Sequence, residues 1–256
     1  MIDCRIDGHI AVLTLNNPSA NTFTAEGLSE LTARIDELNR NSAIYAAVIT
    51  GAGEKFFSAG ADIKSFTGGD KVRARLMAQR FGTAFEAVQE ARPVIIAAIN
   101  GYAMGGGLEC ALACDLRIAE EHAQMALPEA SIGLLPCGCG TQTLPWLVGE
   151  GWAKRMILTN ERLDAAGALR IGLVEQTVPR GGSLDAALAL AQRAASLSPR
   201  AVAFSKQLIH QARIGTPRAA ALALERERFI DLFEGADQQE GVNAFLEKRK
   251  PVWKNA

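Results

Sequence analysis

The chain is 256 residues long, with 48% hydrophobic and 21% charged residues, an ordinary globular composition large enough for one substantial core. With 27 basic against 28 acidic residues, a formal net charge of −1 gives no field that would recruit nucleic acid or an anionic membrane. The N-terminus lacks a basic region followed by an apolar one, no apolar run reaches the roughly 18 residues of a membrane span, and five cysteines are too few for a disulfide scaffold, so the chain reads as a soluble, unprocessed, cytoplasmic protein with reduced thiols.

Residues 10–15 read as a strand, closed by the turn Asn16-Asn17-Pro18-Ser19-Ala20-Asn21. From Thr24 to Asn39, Leu28, Leu31, Ile35 and Leu38 recur at helical spacing, with Thr24 as the N-cap. Residues 46–50 give a buried strand ended by Gly51-Ala52-Gly53, and Phe56 to Ile63 a short strand running into a small-residue loop. A helix over about 70–90 leads to the continuous apolar strand 93–99, which suits a position covered on both faces. Then comes Asn100-Gly101-Tyr102-Ala103-Met104-Gly105-Gly106-Gly107-Leu108-Glu109, a glycine-rich entry into a helix that ends near Cys114. Consecutive glycines there remove Cβ atoms that would keep a ligand off the backbone, and a first helical turn leaves its N–H groups free, so the stretch reads as an oxyanion or phosphate site. A plain glycine-rich turn carrying a solvated glutamate remains the competing reading.

Short strands at 116–119 and 124–129 follow, then the loop Gly133-Leu134-Leu135-Pro136 and short helices at 141–147, 153–158 and 164–169, the last capped by Asp164. Residues 173–178 read as a strand, and 184–197, 199–213, 217–233 and 237–249 as helices. Strands alternating with helices point to an α/β arrangement of mainly parallel strands, with a core over 1–182 and a helical region over 183–256.

The chemistry narrows by exclusion. No G-x-G-x-x-G, no G-x-x-x-x-G-K-[ST] and no G-x-S-x-G occurs, and His9, His122 and His210 stand outside any motif. Cys110 with Cys114, and Cys137 with Cys139, could in principle bind metal or oxidise, but no histidine lies near either pair and the spacing fits zinc poorly, so no metal is expected. What remains is the carboxylate pair Glu109 and Glu129, each next to apolar sequence. Taken singly, each is more commonly a surface or ion-paired residue. Together, beside two small-residue loops with free N–H groups, they suit acid–base chemistry through an enolate.

The blocks Phe57-Ser58-Ala59-Gly60-Ala61-Asp62-Ile63-Lys64, Asn100 to Glu109, Leu127-Pro128-Glu129, Gly133-Leu134-Leu135-Pro136 and Gly140-Thr141-Gln142 resemble, in order and spacing, those of the enoyl-CoA hydratase (crotonase) family. The resemblance implies a crotonase-like ββα spiral core with a helical C-terminal trimerisation region, an acyl-CoA substrate, no cofactor, and a homotrimer or a hexamer built as a dimer of trimers. It also implies Glu109 and Glu129 as catalytic carboxylates, an oxyanion hole from the N–H groups of Ala61 and Gly106, and CoA contacts from Ala59, Asp62, Ile63, Lys64 and Lys248. Retention of both glutamates favours hydration of a trans-2-enoyl-CoA. An isomerase, a methylglutaconyl-CoA hydratase and a non-catalytic CoA-binding protein stay open. The family often has glycine, a small residue and two glycines after the proline, whereas this chain has Cys137-Gly138-Cys139-Gly140, which would be costly if either cysteine needed positive φ.

Overall fold

The computed structural model describes residues 2–255; Met1 and Ala256, the outer ends of the two regions expected above, lie outside them. A six-stranded sheet has the order β1-β2-β3-β5-β7-β10, where β1 is Ile2–Asp7, β2 Ile10–Leu15, β3 Ala46–Gly51, β5 Val94–Ile99, β7 Leu116–Glu120 and β10 Gln176–Val178. The pair β1 and β2 is antiparallel and the remaining neighbours are parallel. The period of two along each strand divides its residues between two cores. Leu13, Ile49, Ile95 and Ala97 face one side, where α1 (Ala25–Arg40) and α2 (Lys71–Glu90) lie, whereas Val12, Val48, Ile96 and Ala98 face the other. That second face is covered by α6 (Ser183–Ala195) through Ala187, Ala191 and Ala195, side chains small enough to bring the helix close to the sheet. The helical sequence therefore begins with an element packed on the core sheet.

In α1, Leu28, Leu31, Ile35 and Leu38 form the buried stripe that their spacing predicts, and the Thr24 side chain accepts from Gly27 N at 3.2 Å. Truncating one such leucine to alanine costs about 2–5 kcal/mol. A smaller sheet has the order β4-β6-β8-β9, with β4 Phe56–Ser58, β6 Tyr102–Met104, β8 Gln124–Ala126 and β9 Leu163–Asp164. Strand β6 lies inside the glycine-rich stretch read above as the entry into a helix, and it leads straight into α3 (Gly106–Ala113).

The two short helices expected at 141–147 and 153–158 are halves of α4 (Gly140–Leu158), broken at Gly149, where φ is 79°. The expected strand 173–178 is shorter, since Leu173 and Val174 are buried in the turn after α5 (Ala165–Arg170). Of the remaining helices, α7 (Pro199–Arg213) is tied to the core by Lys206 Nζ, which meets Asp115 at 2.7 Å and donates to Pro93 O at 3.1 Å. Helices α8 (Arg218–Asp231) and α9 (Ala236–Leu246) are followed by a tail that doubles back, Lys254 N donating to Asp237 Oδ1 at 2.7 Å. No helix among the described residues is long and apolar enough to cross a membrane.

Candidate active site

The site is built at the N-terminus of α3. Its three leading glycines are required by the protein's own packing. Gly105 has φ 53°, and a Cβ there would stand 3.0 Å from Glu129 Oε1. At Gly106 it would meet the Phe81 ring at 2.7 Å, and at Gly107 the backbone of Ser58. The missing side chains thus let α2, β4 and Glu129 converge on one helical turn, a more specific role than leaving room for a ligand.

Glu109, on that first turn, is 2% exposed. Its Oε1 accepts three backbone N–H groups, from Gly138 at 2.9 Å, Cys139 at 2.9 Å and Gly140 at 2.8 Å. The Cys139 thiol also donates to Glu109 O at 3.3 Å. These amides belong to the turn entering α4, so Glu109 satisfies the N-terminus of a helix other than its own. With three donors on Oε1, Oε2 is the oxygen of Glu109 left outside the cradle. Neither Cys137 nor Cys139 has positive φ, so the cysteine substitutions cause no backbone strain.

Glu129 opens a 3₁₀ turn, Glu129–Ile132, directly after Pro128. Burial pushes its carboxyl up to about 7, its own N–H partly opposing and the Glu109 charge adding to the rise. Among the described residues its Oε2 is buried without a partner. The two glutamates are therefore neighbours in space, one held by three amides and the other half-buried and able to carry a proton near neutrality.

The loop after β4 comes beside them. Phe23 pairs with the loop through Gly60 O and Asp62 N, at 2.8 and 3.0 Å, so the N–H of Ala61 between them points to the other side. A Cβ on Gly60, where φ is 90°, would stand 3.0 Å from Gly106 N, which brings the Ala61 loop against the first turn of α3. Gly106 is the first residue of α3, and among the described residues neither its N–H nor that of Ala61 donates to a protein acceptor.

The other expected site residues are placed as follows. Ala59 N donates to Ala20 O at 2.9 Å, and Asp62 caps the 3₁₀ turn Ile63–Phe66 through Lys64 N at 3.2 Å. Ile63 and Lys64 are exposed on that turn. Lys248 is exposed at φ 54°, and no hydrogen bond or ion pair among the described residues joins its side chain to residues 59–64. No group of three or more His, Cys, Asp or Glu residues among those described could hold a metal ion. The sequence did not disclose the amides of 138–140, nor Phe85 against Gly138 and Phe81 against Gly106. Its one signal was the alternation Cys137-Gly138-Cys139-Gly140 just before a helix.

A sequence profile described as Enoyl-CoA hydratase/isomerase matches residues 5–256. Among curated relatives, a short-chain-enoyl-CoA hydratase of Clostridium acetobutylicum is 40% identical, with 95% of this chain and 94% of that protein covered. A crotonyl-CoA hydratase of Syntrophomonas wolfei is 37% identical over 94% and 93%. Among solved structures, Pseudomonas aeruginosa DspI is 62% identical, covers 99% of this chain and 96% of its own, and superposes with a TM-score of 0.96. An enoyl-CoA hydratase of Bacillus anthracis is 36% identical over 100% and 99%, with a TM-score of 0.95. The crotonase-like core with helical C-terminal region is thus the fold of this chain. A match of this extent, together with two glutamates and two free N–H groups gathered at one helical turn, makes the chain a member of the enoyl-CoA hydratase/isomerase family.

Proposed function

We propose that the chain is an enoyl-CoA hydratase, a hydro-lyase that adds water reversibly and syn across the double bond of a trans-2-enoyl-CoA to give a 3-hydroxyacyl-CoA. One observation carries the reading: two adjacent glutamates in different surroundings, Glu109 with one oxygen in a cradle of three amides and Glu129 half-buried, its carboxyl pushed up to about 7 by burial. Acid–base catalysis needs one group to take a proton while the other gives one.

In the proposed reaction the thioester oxygen accepts from Ala61 N–H and Gly106 N–H. Water bound between the carboxylates gives one proton to Glu109 Oε2 as its oxygen attacks C3. The C=C electron pair moves toward the thioester, charge collects on the oxygen between the two N–H groups, and Glu129 delivers its proton to C2. One water is consumed and the pair ends with its proton on Glu109, so proton transfer through solvent resets it. Preorganised donors of this kind lower the barrier by about 3–4 kcal/mol each. Ala59, Ile63 and Lys64 would line the CoA path, with Asp62 holding the turn that presents them. Lys248 would reach a CoA phosphate.

The exposed apolar side chains of the C-terminal helices, among them Phe229, Ile230, Phe233 and Phe245, support assembly into a homotrimer or a hexamer. Light scattering coupled to size exclusion tests that directly, and a monomer would refute it. The reaction is tested by loss of enoyl absorbance with crotonyl-CoA, for the wild-type protein and for Glu109→Gln and Glu129→Gln. Losses of about 10²–10⁴-fold in kcat are expected for each variant. Near wild-type turnover in either would refute the two-carboxylate scheme, and saturable CoA binding without turnover by the wild type would mark a binding protein instead.

A further inference from the structure

We infer that Phe85 and Gly138 form a complementary pair that positions the Glu109 carboxylate. The inference rests on the reading of Glu109 as the water-activating base. All three donors to Glu109 Oε1 come from residues 138–140, and the Cys139 thiol holds the backbone oxygen of the same glutamate. Where that turn sits, the carboxylate sits. Gly138 lacks positive φ, so the backbone does not require glycine there. Space does. A Cβ on Gly138 would lie 2.7 Å from Phe85 Cε2 and 3.2 Å from Glu109 Oε2, between the ring and the oxygen left to react.

The ring itself cannot give way easily. Phe85 is 0% exposed and meets Phe23 and Phe81 edge-on at centroid distances of 5.8 and 5.6 Å. In close-packed interiors such a ring acts as a fixed surface, and the turn approaches it only as far as a residue without a side chain allows. Phe85 fills the volume that a side chain at position 138 would need. The cysteines on either side are the residues whose side chains have room.

Phe85 touches no reacting atom in this scheme; it acts through the turn and Glu109. Gly138→Ala should push the turn off the ring or the carboxylate off its amides. A misplacement of about 1 Å at a catalytic group costs about 10²-fold in rate. The loss should fall on kcat with KM unchanged, because the thioester donors and the CoA loop are untouched. Phe85→Leu removes the ring edge, and the double variant Phe85→Leu with Gly138→Ala should regain the kcat of Phe85→Leu alone. Crystal structures of Gly138→Ala provide a readout independent of turnover, with at least one of the three N–H groups moved beyond hydrogen-bonding distance of Oε1. Wild-type kcat in folded Gly138→Ala, or a double variant no better than Gly138→Ala or unable to fold, overturns the pairing. If the wild type itself fails to hydrate crotonyl-CoA, the hydratase reading falls, and the crystal structure still decides the pairing: an unmoved turn and carboxylate refute it.

Discussion

Replacing Glu129 by glutamine should make the protein more stable at alkaline pH while stopping catalysis, because burial raises this carboxyl from an ordinary 4.5 to about 7. Below pH 4.5 the group is protonated whether the chain is folded or not, and it contributes no difference. Between 4.5 and about 7 the folded protein keeps the proton and the unfolded chain has lost it, so stability falls as pH rises through this window. Above about 7 both states are ionised and the whole penalty is present. The shift corresponds to at most about 3 kcal/mol, and partial exposure of the group reduces this to roughly 1–2 kcal/mol. Glutamine keeps the shape and carries no such slope. Urea denaturation of both proteins at pH 4.5 and pH 8.5 gives the measurement. The stability difference between variant and wild type should grow by roughly 1–2 kcal/mol in favour of the variant at the higher pH. A difference that stays constant across the range would mean that Glu129 titrates normally and is not the proton donor.

The same pair sets the pH dependence of turnover. Hydration needs the proton on Glu129 and dehydration needs it on Glu109, two arrangements of one singly protonated pair, so kcat/KM profiles in the two directions should superimpose with an alkaline limb near 7; distinct limbs in the two directions would refute a shared proton. Cys137, on the loop beside the two glutamates, has its thiol pushed up from 9.0 to about 11 by partial burial and by the charges of Glu109 and Glu129, so at pH 8 its thiolate population falls roughly 90-fold below that of an unshifted thiol. Greater nucleophilicity of the thiolate recovers part of this, and alkylation by iodoacetamide followed by peptide mass spectrometry should run about tenfold slower than for a free thiol; equal rates would count against the shift. Asp164→Ala removes the 2.7 Å cap on Gly167 N and should cost about 1 kcal/mol in denaturation without altering KM.

The parts of the fold that could be read from sequence are those where one local period dominates. Leu28, Leu31, Ile35 and Leu38 are spaced for one helix face, and the run before Asn100 reads as a doubly covered strand, as the structure shows. Strand β6 was hidden because Tyr102-Ala103-Met104 is too short to carry a period between glycines. The break in α4 sits at a glycine that could equally have ended one helix and begun another. At the site, Glu109 and Glu129 were legible as residue types next to apolar sequence, and their order and spacing carried the family resemblance. The cradle was not, because backbone N–H donors have no letter of their own. Phe85 was invisible for a different reason: its place against Gly138 is a long-range contact, and in the sequence it is one more apolar position on α2.

The triple amide contact at Glu109 has an evolutionary consequence. Chemically the two glutamates are the same group, yet they stand on opposite sides of the trade between stability and activity. Glu129 is a half-buried carboxyl whose ionised form the fold would be better without, so drift away from catalysis there is rewarded with a sturdier protein. Glu109 caps the start of α4, and losing its carboxylate leaves three amides without their acceptor. A descendant that abandoned hydration would therefore be expected to lose Glu129 first and to retain Glu109 long after it had ceased to act as a base.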